Sequence, residues 1–137
     1  MEYGYSKTVD LSYEKALERI EEELKERGFG VLTEIDVRAT MKKKLDLEMN
    51  DYKILGACNP PFAHQALEQE QEIGLLLPCN VIVYVNDEGK TIISAVNAEV
   101  MLSIVGDDPE LQQIASEVSS RLRDAVDAVV TAESVGA

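Results

Sequence analysis

At 137 residues and 45% hydrophobic content, the chain suffices for one domain with a buried core. Its formal net charge of −13 repels phosphate backbones and anionic membrane surfaces, which argues against nucleic-acid and membrane partners. No apolar run approaches the length needed to span a bilayer, and Met1-Glu2-Tyr3-Gly4-Tyr5 carries neither a basic nor an apolar leader, so a soluble cytoplasmic protein with reduced thiols is expected.

Glu2 to Val9 alternates weakly and predicts a first strand. Ser12 is placed to cap a helix running to about Arg27, with Tyr13, Ala16, Leu17, Ile20 and Leu24 as its apolar stripe. Its other face is rich in glutamate interleaved with lysine and arginine, the pattern of a solvated surface. Gly28 ends the helix in a left-handed conformation. Phe29 to Ile35 predicts the second strand. Asp36 caps a helix over 37–45 with Val37, Met41 and Leu45 inward. Lys42-Lys43-Lys44 in its last turn complement the helix dipole.

The next stretch, Ile54 to Val85, holds both cysteines, the only histidine and three of the four prolines. Tyr52 to Cys58 is short, apolar and strand-forming. Asn59-Pro60 then signals a helix start, with Asn as N-cap and Pro at the first helical position. Phe62, Ala63, Ala66 and Leu67 share one face of that short helix. Gly56 allows a close approach by backbone or ligand. After Leu75-Leu76-Leu77-Pro78, Cys79 opens a strand with Cys79, Val81, Val83 and Val85 on one face and Asn80, Ile82 and Tyr84 on the other. That strand is apolar on both sides, so its second face needs a cover.

Asn86-Asp87-Glu88-Gly89 predicts a hairpin turn into a strand over Lys90–Val96. Asn97 caps a short helical turn holding Val100, Met101 and Leu102. Asp108 and Pro109 open the last helix, which keeps one apolar stripe from Leu111 to Val129. Residues 130–137 are expected to fray.

The run Tyr52-Lys53-Ile54-Leu55-Gly56-Ala57-Cys58-Asn59-Pro60, with Leu77-Pro78-Cys79-Asn80-Val81 and the hairpin Gly89, resembles the domain of unknown function 302 family over roughly residues 2 to 130. The resemblance implies a compact α+β domain of the TATA-binding-protein-like type that dimerises. It implies a fold and no particular activity.

Pattern and resemblance together predict one α+β domain: an antiparallel sheet of four to five strands with two long helices packed on one face, in the order β-α-β(n)-α. The candidate site is Cys58, Asn59, His64 and Cys79. Three chemistries compete there. The cysteines can be packing residues. Cys58, at a helix start whose N–H groups favour an anion, can be a reactive thiol resolved by Cys79 in redox or sulfur handling. Cys58, Cys79 and His64 can hold zinc or copper, a dimer completing the set. No template for hydrolases or nucleotide enzymes is present. The residues leave open whether any reaction is catalysed. The expectation is a homodimeric binding module for a small molecule or anion, without a cofactor, its site at the Cys58-Asn59-Pro60 helix start.

Overall fold

A computed structural model describes residues 2–136, with side chains through Val130. Five strands, β1 (Gly4–Val9), β2 (Gly30–Asp36), β3 (Tyr52–Cys58), β4 (Cys79–Val85) and β5 (Thr91–Val96), form one antiparallel sheet in the order β1-β5-β4-β3-β2. The helices are α1 (Tyr13–Glu26), α2 (Val37–Leu45), α3 (Pro60–Gln69), α4 (Ala98–Leu102) and α5 (Pro109–Gly136).

The two long helices, α1 and α5, pack on each other and on one face of the sheet. Each forms where its caps and stripe direct it. Ser12 accepts from the Lys15 N–H at 3.2 Å, and Gly28 leaves the helix at φ 87°. Ala16, Ile20 and Leu24 of α1 are buried against Leu122, Val126 and Val129 of α5 and against Leu55, Val81, Val83 and Ile93 of the sheet, in one continuous core. Full burial of each such aliphatic side chain is worth about 1.5–3 kcal/mol. Asp108 caps α5 by accepting from Glu110 N–H at 2.9 Å and Leu111 N–H at 3.3 Å.

The register sorts the sheet residues. Leu55, Ala57, Cys79, Val81, Val83, Ile93 and Ala95 face α1 and α5. Tyr52, Ile54, Ile82, Tyr84 and Ser94 share the opposite face, where the rings of Tyr52 and Tyr84 stack with centroids 5.3 Å apart. The pairing of β2 with β3 slips by one residue between Val31 and Thr33, making Leu32 a bulge.

Two expectations need correction. Leu45 does not point inward: it is 66% exposed, and α2 buries none of its residues. This helix joins two adjacent antiparallel strands at the margin of the sheet, and only Val37 and Met41 find partial cover. The last helix does not stop near Val130 but continues to Gly136. The predicted fraying of 130–137 otherwise falls outside the described side chains.

Candidate functional site

Strands β3 and β4 run antiparallel with Ala57 opposite Cys79 and Gly56 opposite Asn80. Cys58 is the last residue of β3 and pairs with Gly30 of β2. The chain then turns into α3 through Asn59, whose side-chain oxygen accepts from Phe62 N–H at 3.4 Å. A Leu77–Pro78 cis bond leads into β4. Short helices α3 and α4 lie alongside α5 and close this end of the molecule.

Between them lies a cavity of about 280 Å³. Ala57, Cys58, Asn59 and Cys79 form its sheet-side wall. Phe62, Ala63, Ala66 and Leu67 come from α3, as their shared stripe predicts; Met101 and Leu102 come from α4, and Ile114 and Val118 from α5. Phe29 and Leu32 complete the lining on the β2 side. No lining residue is charged, and Asn59 carries the single carboxamide. Burial of Asn59 and Cys79 places them in the wall, while Cys58 is half-buried.

The helix start does not supply what an anion needs. Pro60 and Pro61 have no N–H, Phe62 N–H is taken by the Asn59 side chain, and Ala63 N–H donates to the Asn59 carbonyl at 2.9 Å. All four N-terminal positions of α3 are therefore spent or lack a donor. Cys79 is equally poor ground for a thiolate. Burial pushes its thiol up to about 11, and the negative charge that Cys58 can carry pushes in the same direction.

Cys58, Asn59 and Cys79 are thus brought to one wall. His64 is not. Its side chain is 76% exposed on the outer face of α3, with Nδ1 3.3 Å from Glu68 Oε1. Helical phase explains the separation, because residue 64 falls off the stripe formed by 62, 63, 66 and 67. Among the described residues, no group of three or more His, Cys, Asp or Glu side chains could hold a metal ion. Of the lysines in the last turn of α2, Lys42 is tied to Asp46 at 2.7 Å and Glu48 at 3.0 Å.

The lining from Phe29, Leu32, Met101, Leu102, Ile114 and Val118 escaped the sequence reading. Each belongs to an apolar stripe or strand that reads as ordinary core. Only the tertiary fold shows that these stripes stop short of meeting.

Among the described residues no helix is long and apolar enough to cross a membrane. A comparison with curated proteins finds no match. The crystal structure of an uncharacterized conserved protein DUF302 from Bacillus stearothermophilus is similar, at 33% identity and a TM-score of 0.84, over 93% of this chain and 98% of that one. The family model for the domain of unknown function DUF302 matches residues 5–129, and the chain belongs to that family.

Proposed function

We propose that the protein binds a small, predominantly apolar molecule in the cavity beside Cys58, Asn59 and Cys79, and that it does so as a homodimer. The observation that carries the ligand reading is the lining: an apolar chamber without a charged side chain, with two thiols and one carboxamide as its polar features. A chamber of about 280 Å³ is near the lower end of small-molecule sites, and placing few polar groups in an apolar wall is how such sites orient a ligand. General acid–base chemistry has no support there, because the wall holds no histidine or carboxylate.

The test is titration with acetophenone, followed by the methyl resonances of Ile114 and Val118 and by thermal stability. Saturable shifts at those methyls and a raised Tm are expected. Ala63→Phe, which fills the chamber from α3, should abolish both. Absence of any shift in the wild type overturns the reading.

The homodimer rests on the sheet face opposite α1 and α5. Its strand residues, among them Ser6, Tyr52, Ile54, Ile82, Tyr84 and Ser94, include no charged side chain in a protein of net charge −13. A second copy brings the same neutral surface and keeps both sets of carboxylates at the rim. Five strands at about 4.8 Å spacing and six residues at about 3.3 Å give a footprint of roughly 480 Å² per copy. The total of about 1,000 Å² is at the threshold for a specific interface.

A thiol-based redox or sulfur-handling role is the second reading, supported by both free thiols lining one chamber. A disulfide between Cys58 and Cys79, formed under a thiol oxidant and seen by mass spectrometry of the native protein, is its test.

A further inference from the structure

The wall of the chamber is almost wholly hydrocarbon. Its one carboxamide is spent on its own helix, the Asn59 oxygen accepting from Phe62 N–H at 3.4 Å. The Asn59 nitrogen lies by Gly28, where a Cβ would come 3.0 Å from it and 3.6 Å from Arg121 Nη1, and neither Gly28 nor Arg121 belongs to the wall. Arg121 is itself engaged, through Nε to Glu117 Oε1 at 3.0 Å and through Nη1 to the Arg27 carbonyl at 3.3 Å. Ala57, Cys58 and Cys79 are paired into the sheet, and Ala66, Ile114 and Val118 lie inside helices, so their main-chain groups bond within those elements.

The thiols fit the same description. Cys79 is buried, and burial pushes its thiol up to about 11, which keeps it uncharged at neutral pH. A neutral thiol packs as a small hydrophobe. The sulfurs of Cys58, Cys79 and Met101 favour the edge of an aromatic ring and so can steer one without a hydrogen bond.

Size and rim narrow the class further. An apolar cavity of about 150 Å³ accommodates benzene, so one of about 280 Å³ has room for roughly ten to twelve carbon atoms. Leu32, 67% exposed, and Leu67, 40% exposed, stand where the lining meets solvent, so a head group left at the opening gains no partner from them. A carboxylate or ammonium drawn inside would give up its hydration and find no compensating group.

We infer that the chamber selects a compact hydrocarbon of about ten carbon atoms, enclosed as a whole and free of hydrogen-bonding groups, over oxygenated or charged relatives of the same shape. This rests on the reading of the chamber as a ligand site and adds the chemical class of the ligand. The selection is exerted by loss: an oxygen that bonds to water outside has nothing to bond to inside.

The test is NMR titration of the wild type with α-methylstyrene, with its oxygenated isosteres acetophenone and 1-phenylethanol, and with octanoate and octylammonium below their micelle concentrations, read at the methyls of Ile114 and Val118. α-Methylstyrene should bind roughly ten- to a hundredfold more tightly than either oxygenated probe, the consequence of burying a carbonyl or hydroxyl unpaired. The two amphiphiles should leave those methyls unmoved. Met101→Gln, close in shape, puts a hydrogen-bonding group into the wall and should cut the preference for the hydrocarbon at least threefold. Binding of ketone or alcohol as tightly as hydrocarbon to the wild type overturns the inference and leaves the apolar site standing. Tighter binding by octanoate or octylammonium also overturns it, by showing recognition of a charged head. A preference unchanged in Met101→Gln overturns it too, because the selection would then not come from this wall. Failure of α-methylstyrene and acetophenone alike to bind ends the ligand-site reading and this one with it.

Discussion

Thr33 of β2 and Gly56 of β3 face each other across the sheet so closely that a Cβ on Gly56 would collide with the Thr33 hydroxyl and lie 2.8 Å from Pro78 Cγ. The glycine admits a neighbouring side chain and the proline before β4, not a ligand. Gly56→Ala should therefore destabilise the fold by about 1–3 kcal/mol through overpacking. Thr33→Ala in the same chain should recover part of the loss, since it removes the hydroxyl and leaves Pro78. Urea midpoints of the two variants and the wild type decide it; a neutral Gly56→Ala would show that the strands can spread.

The cysteines should differ in reactivity. With its thiol pushed up from 9.0 to about 11, Cys79 should alkylate about a hundredfold more slowly at pH 8 in the native protein than in denaturant. Mass spectrometry after timed iodoacetamide treatment should find Cys58 labelled first. The same shift makes stability depend on pH. Because the folded-state value is raised, the stabilisation is complete below pH 9 and is lost as pH rises toward 11, roughly 2–3 kcal/mol in all. Tyr13, raised to about 12 by burial, titrates in an overlapping window. Comparing wild type with Cys79→Ala isolates the cysteine, whose removal should flatten the alkaline slope.

Glu21 of α1 reaches toward Glu34 of β2. Its pKa is raised by burial first, then by the hydrogen bond and the repulsion from Glu34, against a smaller pull from Lys53. A raised acid favours the fold while protonated, so stability should fall as pH climbs from the acid side through its folded-state value. Glu21→Gln keeps the hydrogen-bonding capacity and removes the charge. It should raise the urea midpoint at pH 7, by no more than about 1 kcal/mol because solvent screens the pair, and should reduce the acid-side slope. An unchanged midpoint and slope would refute the coupling.

The neutral sheet face gives a direct assembly prediction. Sedimentation of the wild type at micromolar concentration should show a dimer, and Ile82→Glu or Tyr84→Glu should shift it to a monomer with unchanged circular dichroism. Ile82 and Tyr84 stand at the centre of that face, where a buried unpaired carboxylate is most costly. A wild type that sediments as a monomer would falsify the homodimer.

Local chemistry made much of this fold readable. Ser12, Asp36, Asn59, Asn97 and Asp108 each announce a helix, and each side chain accepts the backbone hydrogen bond that a cap requires. The apolar stripes of α1 and α5 likewise carry their own period. The site was legible only where its residues are neighbours in sequence, at Cys58 and Asn59. Cys79 joins them because two strands pair, which the shared alternation suggests. His64 looked equally close by numbering, yet two residues along a helix turn a side chain by more than half a revolution. The sufficiency of the cap for Asn59, and the shortage of donors left behind it, depended on Pro61 following Pro60, a detail visible in the letters but easily passed over when prolines are treated only as helix openers.

Leu32 shows what a single surplus residue does to a marginal strand. It is unpaired, 67% exposed and turned to the mouth of the chamber, while Val31 before it and Thr33 after it keep to opposite faces. An outermost strand with an unbroken ladder would invite a neighbour to extend the sheet without limit. The irregularity at Leu32 spoils that template and at the same time furnishes the doorway with its apolar sill. Shortening β2 by this one position would therefore remove a guard against fibre-like association together with a piece of the entrance.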